Sequence, residues 1–106
     1  MDVRRDVFQA IADPSRRAIL TLLAAGALSP GVIANHFDST RQTISRHIQI
    51  LVECGLVTSE STGREVYYQL NRDKLTDVLD FLEPFRQQWE NRFRNMDTLI
   101  TKSRKK

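Results

Sequence analysis

The sequence predicts a mainly α-helical domain that carries one small β-hairpin. Three observations predict it. Apolar residues recur every three or four positions through most of the chain, polar caps open successive helices in the first forty residues, and one short stretch is rich in β-branched and aromatic residues around a glycine. At 106 residues, with 41% hydrophobic and 27% charged, the chain has the size and composition of one globular domain rather than a disordered or fibrous protein. A core of this size is modest, so a second copy is a natural source of further burial.

Each element follows from its own signals. Val3, Val7 and Ile11 fall at i, i+4 and i+8 and predict a short amphipathic helix over residues 3–11. Asp13-Pro14 is an N-cap followed by proline at the first helical position. It opens a second helix whose core side is Ile19, Leu20, Leu22 and Leu23 and whose end is Gly26. Ser29-Pro30 repeats that signal for a short third helix with Val32, Ile33, Ala34 and Phe37, and Asp38-Ser39-Thr40 is a polar turn able to cap the next.

The fourth helix, Thr40 to Cys54, carries most information. At about 100° per residue, Ile44, Ile48 and Leu51 share a buried arc, while Gln42, Ser45, Arg46 and Gln49 form a polar stripe on the other side. The single acid of this helix, Glu53, lies near its end, and Gly55 closes it. Leu56–Glu60 and Glu65–Leu70 then read as two strands around a four-residue tip, Ser61-Thr62-Gly63-Arg64. Tyr67 and Tyr68 alternate faces, which predicts one ring on the core and one in solvent.

After Asn71 the helical period returns, from Leu75 through Leu82, Phe85, Trp89, Phe93 and Met96 to Ile100. Pro84 predicts a kink or break. From Pro84 to Lys102 the helix would span close to 30 Å at about 1.5 Å per residue, against a radius of gyration of about 13 Å for such a domain. Its Phe85, Trp89, Phe93 and Met96 stripe therefore needs a cover, which a second protomer supplies better than solvent. Residues 1–102 are read as one domain that includes the pairing surface, and residues 103–106 as a basic tail.

Composition excludes several classes. The lone Cys54 forms no internal disulfide and reads as a small core residue rather than a redox sensor, so cytoplasm is the expected compartment. No stretch approaches the roughly 18 apolar residues of a membrane span, and no apolar segment follows Met1–Asp6. No nucleophile–base pair, phosphate loop or ligand cluster appears, so neither an enzyme nor a cofactor is expected. The net charge of +3 is small, but nine basic and six acidic residues lie after Asn71.

Short helices, a turn, a polar-faced helix and a hairpin together make a winged helix-turn-helix. A helix fits the major groove, where arginine forks onto guanine and glutamine onto adenine. A tip bearing Gly63 and Arg64 suits the neighbouring minor groove or backbone. His47, at the edge of the buried arc, reads as phosphate-facing or structural, and His36 as a packing or surface residue.

The runs Asp6-Val7-Phe8-Gln9-Ala10-Ile11-Ala12-Asp13-Pro14-Ser15-Arg16-Arg17-Ala18-Ile19-Leu20, Thr43-Ile44-Ser45-Arg46-His47-Ile48 and Gly63-Arg64-Glu65-Val66-Tyr67-Tyr68-Gln69-Leu70 resemble the ArsR/SmtB family of bacterial winged-helix repressors. The resemblance covers roughly residues 3–90. It implies a homodimer, joined through the first and last helices, that binds a palindromic operator until a signal releases it. The recognition positions it implies are Thr40, Arg41, Gln42, Thr43, Ser45, Arg46 and His47, with Gly63 and Arg64 at the wing tip. Gln49 joins them from the polar stripe, and Val3, Val7, Phe85, Trp89, Phe93 and Met96 form the expected dimer interface.

One departure qualifies the resemblance. The arsenic-sensing branch carries Cys-x-Cys where this chain has Ser29 and Gly31, and the zinc-sensing branch uses Asp and His on the last helix, away from His36 and His47. Asp77 and Asp80 alone would make a weak, hard-cation site. The expected protein is thus a dimeric, DNA-binding repressor without the family's usual metal site. The alternatives are a protein-interaction module on the same scaffold and a redox- or metal-gated sensor.

Overall fold

The computed structural model describes residues 6–104, the last three by backbone alone. Val3 and the tail residues Lys105 and Lys106 lie outside the described residues. The chain forms α1 (Val7–Ile11), α2 (Pro14–Leu23), α3 (Pro30–Ala34), α4 (Arg41–Glu53), β1 (Val57–Thr62), β2 (Glu65–Leu70) and α5 (Arg72–Arg104). It divides into two compact units, the first ending at Thr76 and the second beginning at Asp77. Among the described residues no helix is long and apolar enough to cross a membrane.

The caps place the first four helices. Asp6 accepts from the Gln9 backbone N–H at 2.8 Å and Gln9 Oε1 accepts from the Asp6 N–H at 3.1 Å, a reciprocal capping box. Because Asp6 is extended, at φ −87° and ψ 175°, α1 starts at Val7 rather than at residue 3. Asp13, Ser29 and Thr40 each receive an N–H three residues on, so the polar-residue start signals for α2, α3 and α4 hold to the residue.

The C-terminus of α4 is equally well determined. Gly55 has φ +80°, and the N–H groups of Leu56 and Gly55 donate to Leu51 and Val52 carbonyls at 3.0 Å each. This is the Schellman closure, which puts Leu56 and Val57 straight into the core. Asn71 then fastens the far end of the hairpin to the same turn, donating from its side chain to the Gly55 carbonyl at 2.9 Å and from its backbone to Leu56 at 2.8 Å.

Ile19, Leu23, Ile33, Ile44, Leu51, Leu56 and Val57 are the largest fully buried side chains of the first unit. They come from α2, α3, α4 and β1 and, with Leu56, from the turn before β1, so one core fixes the backs of these four elements. Val7, expected on a pairing face, is only 4% exposed and belongs to the core of its own protomer. Cys54 is buried, in line with its reading as a small core residue.

The hairpin differs from expectation in three ways. The antiparallel register pairs Thr62 with Glu65, so the loop is the dipeptide Gly63-Arg64 rather than four residues, and β1 starts at Val57. Gly63 has φ +63° while among the described residues no non-glycine residue has positive φ, the pattern of a II′ turn with glycine first. Such a turn matches the strand twist, which lets Ser61 and Thr62 join the ladder. Tyr67 and Tyr68 are both half-buried. Tyr67 shares its face with exposed Glu65 and Gln69, but its hydroxyl donates to the Glu65 carboxylate, which covers that end of the ring. Tyr68 exchanges two backbone hydrogen bonds with Leu28, at 3.0 and 2.8 Å, so the α2–α3 linker lies along β2 as a single bridge.

In the second unit the expected break at Pro84 is absent, since α5 continues through it to Arg104, two residues beyond the expected end of the domain at residue 102. Proline removes one N–H donor, and the turns on either side keep theirs. Across that turn Arg86 pairs with Glu83 and Glu90 at 2.5 Å each, an i,i+3 and i,i+4 bridge that supports the helix locally.

Candidate nucleic-acid interface

The outward face of α4 is built by the same period that buries its back. With Ile44, Ile48 and Leu51 turned into the core, Gln42, Ser45, Arg46 and Gln49 are all exposed. Among the described residues none of these four side chains has a hydrogen bond or ion pair within the chain. Their donors and acceptors are therefore satisfied only by solvent or by a ligand. The first turn of α4 contains no acid, so the positive end of the helix is left without a neutralising side chain.

The other expected recognition residues divide by geometry. Thr40 is the N-cap: its hydroxyl accepts from the Thr43 N–H at 3.1 Å and lies 2.9 Å from the Thr43 hydroxyl. Both threonines are exposed, yet their hydroxyls already serve the helix start. Arg41 folds toward α3, where a Cβ added at Gly31 would stand 2.9 Å from its Nη2. Pro30, Gly31, Ala34, Arg41, Ile44 and Ser45 line an open cleft of about 330 Å³ between the two helices. Gly63 and Arg64 stand at the two-residue tip of the wing, both exposed.

His47 is the residue whose setting the sequence least foretold. Its side chain is 18% exposed, and its Nδ1 lies 3.3 Å from Arg16 Nη1 and 3.9 Å from Asp13 Oδ2. Arg16 in turn donates from Nε to the Ala10 carbonyl at 2.6 Å and from Nη2 to the Gln9 carbonyl at 3.1 Å. One guanidinium thus joins the end of α1, the start of α2 and the recognition helix. The Asp13-Pro14 signal located the helix start, but nothing local to it revealed a partner 31 positions away. His36 is an exposed surface residue whose ring nitrogen meets the Val32 carbonyl at 2.9 Å.

Asp13 also links pH to stability. Partial burial pushes its carboxyl up, but the Arg16 backbone N–H, the charges of His47 and Arg16, and the Ser15 N–H outweigh this and hold it below the ordinary aspartate value. A lowered pKa stabilises fully above the unfolded value and is lost as pH falls through the folded one. Asp13→Ala is expected to cost about 1 kcal/mol in urea denaturation at neutral pH, chiefly as a lost cap, and to reduce the loss of stability on acidification.

Among the described residues no three His, Cys, Asp or Glu side chains gather as a metal-binding group. The site has the build of a DNA-reading helix-turn-helix with a wing.

Known proteins agree with that class. Residues 11–60 match the family model described as a helix-turn-helix domain. The transcriptional repressor SdpR of Bacillus subtilis (strain 168) is 37% identical over 86 residues, spanning 81% of this chain and 96% of that repressor. A crystal structure of a possible transcriptional regulator for arsenical resistance superposes with a TM-score of 0.70 at 34% identity, over 76% of this chain and 84% of its own. An ArsR-like transcriptional regulator from Rhodococcus sp. RHA1 gives a TM-score of 0.67 at 32% identity, over 88% of both chains. The chain belongs to the ArsR/SmtB family of winged helix-turn-helix transcriptional regulators.

Proposed function

We propose that the chain represses transcription as a cytoplasmic homodimer, with α4 of each protomer in the major groove of a palindromic operator and each wing on the flanking backbone or minor groove. The observation that carries this reading is the face of Gln42, Ser45, Arg46 and Gln49, exposed, free of acids and without partners inside the chain among the described residues. A polar face of that kind on a core-anchored helix matches base-edge chemistry: a fork for guanine, amides for adenine and a hydroxyl for either. The exposed stripe of Phe85, Trp89, Phe93 and Met96 supports pairing with a second copy. Two-fold pairing sets recognition helices about 34–36 Å apart, one duplex turn.

No bound metal enters this mechanism, because Ser29 and Gly31 supply no thiolate at the start of α3. The chain is a regulator rather than an enzyme.

Fluorescence anisotropy with DNA from immediately upstream of the chain's own coding region tests the reading. Saturable binding that weakens steeply with salt is the expected result. No saturable binding even at low salt would favour a protein-interaction module. Arg64→Ala is expected to weaken operator and unrelated duplex alike and to reduce the salt slope by about 1, as the loss of one phosphate contact does. A selective loss of operator binding would instead make Arg64 a base reader.

A further inference from the structure

Arg16 and His47 meet through atoms that leave the neutral ring little choice of tautomer. A guanidinium only donates hydrogen bonds, so the Nδ1 that faces Arg16 Nη1 at 3.3 Å must present its lone pair. In a neutral ring the proton then resides on Nε2. The opposite tautomer would point Nδ1–H at the Arg16 guanidinium. Asp13 Oδ2, the acidic atom facing Nδ1 among the described residues, is beyond hydrogen-bond distance at 3.9 Å and already accepts from the Arg16 backbone N–H at 3.0 Å. Among the described residues Nε2 has no hydrogen-bond partner, yet no buried side-chain nitrogen is left unsatisfied, so Nε2 reaches solvent.

Arg16 is itself held rigidly. Its Nε and Nη2 donate to the Ala10 and Gln9 carbonyls of α1, at 2.6 and 3.1 Å, which aims the remaining Nη1 at the ring. The imidazole is thus gripped on one side and bears an outward N–H on the other, one residue after Arg46 on the recognition helix.

We propose that Arg16 is a positioning residue for DNA binding: it locks His47 as the Nε2–H tautomer, and that N–H donates to a phosphate oxygen beside the recognition helix. The phosphate contact rests on the DNA-binding reading above, whereas the tautomer is a property of the free protein. A phosphate contact adds affinity without sequence information, so Arg16 acts on operator and unrelated duplex alike.

The test uses the full chain and two conservative variants. Arg16→Lys keeps the charge but cannot reach two carbonyls and the ring with one planar fork. His47→Gln supplies an amide N–H near the Nε2 position that needs no tautomer control. Long-range ¹H–¹⁵N spectra of the free wild-type protein at mildly alkaline pH are expected to show His47 with Nε2 protonated and Nδ1 not. In Arg16→Lys the ring shifts toward a mixture of tautomers, and affinity for both duplexes falls by about two- to fivefold, from the diluted competent tautomer up to the value of one ordinary hydrogen bond. Adding Arg16→Lys to His47→Gln is expected to change affinity less than twofold, because the two residues act as one unit.

A wild-type ring protonated on Nδ1 overturns the proposal. So does an Arg16→Lys variant with unchanged tautomer and affinity, or an equal loss in the His47→Gln background. If the Nε2–H tautomer is present but the wild type binds no duplex at all, the DNA-binding reading has failed, and the phosphate contact fails with it.

Discussion

If the chain pairs as proposed, replacing both Trp89 and Phe93 by glutamate is expected to leave a monomer and to weaken binding to the proposed operator by at least about 100-fold. The two rings stand edge to face at 5.1 Å, yet are 60% and 54% exposed, and Phe85 and Met96 on the same stripe are exposed as well. Burying the exposed half of these four side chains on each of two protomers would contribute on the order of 6–12 kcal/mol, at about 1.5–3 kcal/mol for a whole side chain. Association itself costs roughly 4–15 kcal/mol in lost freedom. The margin is small, so two buried charges reverse it. A monomer then holds one half-site and loses the contacts of the other. Sedimentation equilibrium reads the mass and anisotropy the affinity, while unchanged helical content by circular dichroism confirms that the exposed positions carry no folding role. A dimeric mass for the double variant would place the protomer contact elsewhere.

Leu51→Ala is expected to destabilise the first unit by about 3 kcal/mol, within the range of about 2–5 kcal/mol for fully buried leucines. Leu51 is 0% exposed, and its carbonyl also accepts the Leu56 N–H that closes α4. The loss is a large part of the about 5–15 kcal/mol that holds a typical domain. Urea denaturation measures it as a lower midpoint with little change in slope. A shift below about 1 kcal/mol would mean that the core behind the recognition helix closes around the gap. The exposed Gln42→Ala serves as the contrast, with stability changed by less than about 0.5 kcal/mol.

What could be read from the sequence was what depends on near neighbours. Asp13, Ser29 and Thr40 announce their helices because an N-cap needs only an N–H three residues on. The exposed polar face of α4 followed from Ile44, Ile48 and Leu51, since whatever lies opposite a buried arc is exposed. The wing tip was drawn too long because Ser61 and Thr62 are polar and suit a loop as well as a strand, and only the pairing of Thr62 with Glu65 decides between them. Val7 shows the limit of periodicity, which marks a residue as apolar without saying whose core it enters. The clasp of Arg16 on His47 joins residues far apart in the chain, and no spacing rule foresees it.

Arg46 decides whether the α4 face reads base edges. The measurement is the ratio of affinities for the operator and for a scrambled duplex of equal length, in wild type and in Arg46→Ala at the same salt. A forked contact to guanine is worth about 1–3 kcal/mol of discrimination, so the ratio is expected to fall roughly 5- to 100-fold while binding to the scrambled duplex changes far less. An unchanged ratio, with both affinities lowered together, would contradict direct readout and leave α4 as a backbone-binding helix.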